Sequence, residues 1–257
     1  MRKLLLLTLS LAALAGHAQS SHRAKASQIP DFLQTDREAG FANAGSQFCA
    51  PTAVSNSLMW LADHGYEDLR SGSGKKAQIA MIRKLSGAGY MKTSPAIGTD
   101  AAQLIAGVEA YVNAAGYTIS ELSYEGWRPV PDDAAAGEYP LLDDIRTYAA
   151  DDSSAVWLNV GWYKYDEESG DYERKGGHWV TVVGYVGDDL LIHDPAPSAG
   201  TTFRTQRISL EELTEGRLTG NQRNLPRSAE GYYELGGEMA KGSSTCILDG
   251  AVFLTLE

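Results

Sequence analysis

The apolar residues of this chain change period partway along its length, and few folds accommodate that change. Up to about residue 150 they recur as on helices, over Ala50–Asp63, Lys76–Leu85, Asp100–Ala115 and Leu141–Ala150. Leu104, Val108 and Val112, for example, fall at i, i+4 and i+8. Beyond that point the pattern is strand-like. Ala155–Tyr165, Tyr172–Arg174, His178–Val186, Leu190–His193 and Thr245–Leu256 are rich in Val, Ile, Trp, Tyr and Thr. Helices first and an antiparallel sheet second predict an α+β fold rather than alternating βαβ units. Clusters of Gly, Pro, Ser and Asp predict loops at Ser71–Lys75, Pro129–Gly137 and Pro195–Thr201. With no internal repeat and 43 % hydrophobic residues, a packed domain is expected. Its length allows roughly 70–75 % of the unfolded surface to be buried, enough for one large core or two lobes around a cleft.

The first residues are expected to stand outside that domain. Arg2 and Lys3 precede an apolar run from Leu4 to Leu14 that ends in small residues, the pattern of a secretory signal. Cleavage after Ala15 or Ala18 would leave an N-terminal segment 19–39 and a domain 40–257, secreted or periplasmic. No other apolar stretch approaches the roughly 18 residues of a membrane helix, so no membrane attachment is expected after cleavage. The net charge of −11, becoming −13 once Arg2 and Lys3 are removed, argues against nucleic acid as a partner.

Two cysteines offer opposite readings. Cys49 sits in Gln47-Phe48-Cys49-Ala50-Pro51-Thr52-Ala53, directly before an amphipathic run marked by Val54, Leu58 and Leu61. Pro51 suits a first helical turn, where its missing N–H removes a donor that would lack a partner anyway. A thiol at a helix N-terminus feels the positive end of the dipole, which favours the nucleophilic thiolate. Conversely, an exported chain with two cysteines often carries one structural disulfide, and Cys49–Cys246 would make a non-catalytic binding or effector module. Alternation in the last segment places Cys246, Leu248 and Val252 on one side of a strand, as suits a small buried hydrophobe. The enzymatic reading therefore expects a reactive thiol at Cys49 and an inert one at Cys246.

A base for Cys49 is available at His178. It lies in Gly176-Gly177-His178-Trp179-Val180-Thr181-Val182-Val183-Gly184-Tyr185, and Asp194 follows in Leu190-Leu191-Ile192-His193-Asp194-Pro195. A turn near Gly187 pairs Val180 with Asp194. His178 and Asp194 then become diagonal neighbours on one face, roughly 7–8 Å apart at the backbone. Val180, Val182, Leu190 and Ile192 share that face, while Trp179, Thr181, Asp189 and His193 take the other. A carboxylate beside an imidazole holds its tautomer and stabilises the imidazolium, the third role in a nucleophile–base–orienter arrangement.

These two blocks, with Ile192-His193-Asp194-Pro195-Ala196, resemble the papain-like cysteine peptidases of the bacteriocin-processing type and their stand-alone relatives. The resemblance implies a helix bearing Cys packed on an antiparallel sheet bearing His and Asp, with Cys49 as nucleophile, His178 as base and Asp194 as orienter. It implies cleavage of a peptide or other amide bond through a thioester, on a peptide or protein substrate and without a cofactor. Relatives usually carry the oxyanion Gln six positions before the Cys, where this chain has Asn43. Gln47, two positions before, has the matching residue type, and both offer an amide donor.

The remaining histidines point elsewhere. His17 is in the signal-like segment, His22 is near the expected new N-terminus, and His64 sits at a helix end before Gly65. His193 should face away from His178. No His or Cys pair has metal-ligand spacing, and the acidic tip Asp166–Asp171 lacks the order of a calcium loop.

Overall fold

The computed structural model describes residues 20–197, 204–220, 225–240 and 242–257. The signal-like segment, with His17, and the later part of the expected loop at 195–201 lie outside the described residues. Four helices form where the period predicts them: α1 (Cys49–Ala62), α2 (Gly74–Ser86), α3 (Ala101–Ala114) and α4 (Leu142–Ala150). The described strands are β1 (Ser21–His22), β2 (Ile119–Gly126), β3 (Ala135–Gly137), β4 (Ser154–Asp166), β5 (Asp171–Val186) and β6 (Asp189–His193). They continue with β7 (Gln206–Ile208), β8 (Leu210–Glu212), β9 (Arg217–Thr219), β10 (Arg227–Ser228), β11 (Tyr233–Leu235) and β12 (Thr245–Leu256). The fold is mixed α+β around one curled sheet whose long central strands run in the order β5-β4-β12, with β2 on the far side of β12.

Three details differ from the sequence expectation. β2 lies between α3 and α4, inside the part read as helical, and pairs antiparallel with β12 from Gly126↔Gly250 to Leu122↔Leu254. Its residues, Ile-Ser-Glu-Leu-Ser-Tyr-Glu-Gly, are too polar to announce a strand, and a partner about 130 residues away supplies the ladder. The loop expected at 129–137 contains β3, which runs parallel to β2, and β9 runs parallel to the start of β5. The sheet is therefore not wholly antiparallel. Finally, Asp249 is a bulge in β12, because Leu248 pairs with Val160 and Gly250 with Asn159. One extra residue reverses the alternation. Cys246 and Leu248 pack with Phe253 and Ala251 on one face, whereas Val252 packs on the other, contrary to the simple alternation.

Each face of the sheet covers a core. On one, α1 and α3 pack over Trp157, Trp179, Val183 and Val252. On the other, Ile145 and Ala149 of α4 pack over Val156, Leu158, Val180, Val182 and Ile192. All residues of α1 are buried, including Thr52, Ser55, Asn56 and Ser57. Ser55 and Asn56 find partners inside the protein, whereas the Thr52 and Ser57 hydroxyls have none among the described residues. Gln78 Nε2 donates to Asn56 Oδ1 (2.7 Å), Ser55 Oγ to the Thr52 carbonyl (2.8 Å), and Thr181 Oγ1 to the Ala53 carbonyl (2.8 Å). The last bond fastens α1 to β5. Leu58 and Leu61 are fully buried, and truncating either to Ala should cost about 2–5 kcal/mol.

The chain before residue 40 belongs to the same body. β1 pairs with the end of β5, Ile29 enters the core, and the Lys25 ammonium donates to the Asp151 and Ser154 carbonyls while lying 4.5 Å over the Trp60 ring. Burial pushes Lys25 down to about 8 against the raising effect of Asp152 and Asp151. Among the described residues no helix is long and apolar enough to cross a membrane.

Candidate active site

Cys49 is the first residue of α1. The N-cap is Phe48, which offers no side-chain acceptor, so no side chain caps the first N–H groups of the helix. Phe48 instead anchors the turn, stacking on Phe41 with centroids 4.9 Å apart in a small core with Phe32, Ile79 and Ile82. Before it, Asn43, Ala44 and Gly45 all hold left-handed backbone, with φ of 49°, 49° and 77°. Two of these are not glycine, and such conformations cost about 1–3 kcal/mol each, a strain found at functional sites. Gly45 has no substitute, since a Cβ there would collide with the Gln34 carbonyl.

The β5–β6 hairpin brings His178 and Asp194 together, the pair expected from the sequence as base and orienter. Val186 pairs with Asp189 and Gly184 with Leu191, then a shift between Val182 and Gly184 sets Val182 against Ile192 and Thr181 against His193, and Asp194 follows directly after. His178 Nε2 donates to Asp194 Oδ1 at 2.5 Å, and both side chains are buried, 7 % and 2 % exposed. The bond leaves Nδ1 without the carboxylate, and the Cys49 thiol is close enough to the imidazole to raise its pKa. Burial alone would push the His178 pKa down. The Asp194 charge and hydrogen bond, with a smaller contribution from Cys49, outweigh it and raise it to about 10. Asp194 also accepts from the Ala196 N–H (2.8 Å), and the Trp162 ring lies 5.8 Å from the His178 ring as a cover.

The two oxyanion candidates differ in what their amides already do. Asn43 Nδ2 donates to Ser46 Oγ (2.8 Å) and to the Pro95 carbonyl (3.2 Å). Gln47 is half-buried against Gly98, where a Cβ would come 3.2 Å from Gln47 Oε1. The loop carrying Gly98 is closed by reciprocal Ser94–Gly98 backbone bonds and held by Trp179 Nε1 donating to the Thr99 carbonyl (3.0 Å).

Sequence reasoning missed Gln34. Its buried amide donates to the Gly45 and Ser46 carbonyls, both at 3.0 Å, and its own N–H donates to the Pro195 carbonyl (2.9 Å). One residue thus ties the turn before Cys49 to the chain just after Asp194. A lone Gln 15 positions before the Cys carries no local signal for that role.

Cys246 is buried in the α4-side core, and no disulfide joins it to Cys49. His22 is on β1, and His64 Nδ1 bonds the Trp60 carbonyl (2.7 Å) on the helix end. His193 takes the opposite face from His178, with Nδ1 on the Pro30 carbonyl (3.2 Å) and Nε2 facing the Thr205 hydroxyl (3.1 Å). A groove of about 520 Å³ between α3 and β2, lined by Ile105, Glu109, Tyr117 and Leu122 among others, includes none of these residues. No protein-family model matches the sequence, and a search of curated proteins finds no significant relative.

Proposed function

We propose that this protein is an exported papain-like cysteine hydrolase that cuts a peptide or other amide bond. The observation that carries the reading is the buried His178 imidazole, bonded to Asp194 on Nε2 and facing a thiol on an uncapped helix N-terminus. The Cys49 proton passes to His178 before attack, giving a thiolate–imidazolium pair of the kind the raised His178 pKa favours, and the thiolate sulfur then attacks the carbonyl carbon. The oxyanion is met by the Cys49 N–H and the Gln47 amide, and collapse expels the amine with the proton held on His178. Water, deprotonated by His178, then attacks the thioester to release a carboxylic acid and restore the thiol. An amine in place of water would give acyl transfer with the same residues.

The test has two arms. Peptide libraries are digested with the wild-type protein and with Cys49→Ala, and new termini are mapped by mass spectrometry. Cleavages confined to the wild type support the reading, and none, or the same set in both, overturns it. In parallel, iodoacetamide should label Cys49 and spare Cys246 in folded, unreduced protein. A Cys49–Cys246 linked peptide would instead favour a binding module without catalysis.

A further inference from the structure

A second charged cluster lies beside the strand that carries His178. Asp249, wholly buried at the β12 bulge, accepts from Arg174 Nε (2.6 Å), Trp127 Nε1 (3.1 Å) and the Tyr163 hydroxyl. Its carbonyl accepts from the Tyr124 hydroxyl (3.2 Å) and the Trp127 N–H (3.1 Å). Asp249 therefore balances Arg174. A second guanidinium shares the cluster, however, because Arg128 stacks over the Trp127 ring at 5.0 Å. Its Nη1 is buried with no hydrogen-bond partner among the described residues. Burial first and Arg174 second push the Arg128 pKa down, with Asp249 opposing. Tyr163 and Tyr124 are held well above the usual tyrosine range, chiefly by burial, so they add no negative charge. Two cations thus face one anion, in a chain that as a whole has 33 acidic against 22 basic residues.

The cluster is reachable and close to the chemistry. Gly177 is exposed, and a Cβ there would land on Arg174 Nη2, so the guanidinium touches the backbone one residue before His178. That places it within about 7 Å of the His178 Cα, given 3.8 Å between successive Cα atoms, on the side of β5 that Gly177 faces and the His178 side chain does not. Gly161, paired with Gly177 across β4 and β5, is equally required to be bare, because a Cβ would press on Tyr163 and come 2.9 Å from the Asp249 carboxylate. The geometry points to a subsite in which Arg128 and Arg174 bind a carboxylate of the substrate beside the strand that carries His178. This assignment rests on the hydrolase reading of the neighbouring site. A planar guanidinium suits a carboxylate through paired N–H donors, and a buried Nη1 with no partner gains most from one. The carboxylate comes either from a chain terminus or from an Asp or Glu side chain.

Binding to the Cys49→Ala protein tests this without turnover. Fluorescently labelled pentapeptides are compared in three forms: all-neutral with a C-terminal amide, the same with a free C-terminal acid, and amidated with Gln replaced by Glu at successive positions. One acid form should bind at least tenfold tighter than the neutral form, and which one does so identifies the source. Adding Arg128→Gln should bring the two to within about twofold, Arg128→Lys should fall between, and salt should shrink the preference. Circular dichroism verifies the fold of each variant. Equal binding of all peptides, no binding of any, or a preference that survives Arg128→Gln overturns the subsite. Failure of the hydrolase reading would show separately, as an absence of Cys49-dependent cleavage.

Discussion

His178 and His193 lie 15 residues apart on one hairpin, both buried, yet they are built for opposite purposes. His178 meets a carboxylate and a thiol, and its proton is held up to about 10 despite burial. His193 meets a backbone carbonyl and a hydroxyl, and burial pushes its pKa down, with only partial opposition from Asp31. Asp31 is itself pushed up by burial, so both members of that pair favour their neutral forms. The lesson is that burial does not decide whether a histidine is charged. The formal charge of its nearest partner does.

The sharpest way to break the comparison is to remove each ring. His178→Ala should lower turnover by three orders of magnitude or more, and adding Cys49→Ala should cause little further loss, because a nucleophile and its base fail as a unit. His193→Ala should leave kcat/KM within about fivefold and instead cost about 1–3 kcal/mol in urea unfolding, through lost hydrogen bonds and a cavity. Comparable kinetic effects of the two would show that the hairpin has no catalytic face.

A similar contrast separates Gln47 from Asn43. Gln47→Ala should cost roughly 10²–10³ in kcat if its amide serves the oxyanion. Asn43→Ala, which removes an amide already used by Ser46 and Pro95, should cost under tenfold. Steady-state kinetics on one cleaved peptide read both.

Asp194 is what makes His178 unlike His193, so exchanging it should make them alike. Asp194→Asn can still orient the ring and should lose less activity than His178→Ala, with Asp194→Ala the more damaging of the two. In Asp194→Asn the His178 pKa should fall to the ordinary value or below, read from the imidazole Cε1–H resonance in NMR. A pKa still near 10 would remove Asp194 as the cause.

The smallest effects are in pH. His178 has a raised pKa in the fold, so its contribution to stability is complete below about 6.5 and is lost as pH rises through about 10. Turnover should decline over that same alkaline limb as the proton for the leaving amine disappears. His193 has a lowered pKa, so its contribution is present above about 6.5 and is lost as pH falls through the lowered value. Urea midpoints across pH should lose the alkaline step in His178→Ala and the acid step in His193→Ala.

Much of the site was legible because its parts are local in sequence. Cys49, Pro51 and the run after them announce a helix start, but the two-residue turn at Gly187 and Asp188 would by parity put Asp194 on the face opposite His178, and it is the irregularity between Val182 and Gly184 that shifts the register by one and brings the two together. The four helices were legible through their period. What stayed hidden depends on distant partners. β2 is a strand because β12 hydrogen-bonds it, and Gln34 matters because Gly45, Ser46 and Pro195 converge on its amide.

The amino-acid sequence alone determined the α+β character and which side chains could form a nucleophile, base and orienter, since each rests on a repeat or motif spanning a few residues, whereas the hairpin register also needed the irregularity between Val182 and Gly184. Tertiary structure decided that β3 pairs in parallel with β2 and β9 with β5, that Val252 leaves the face of Cys246, and that Arg128 holds a buried Nη1 without a partner among the described residues. A bulge inserts one residue at a place no pattern marks, and the charge balance of a buried cluster is set by which remote strands bring their side chains together.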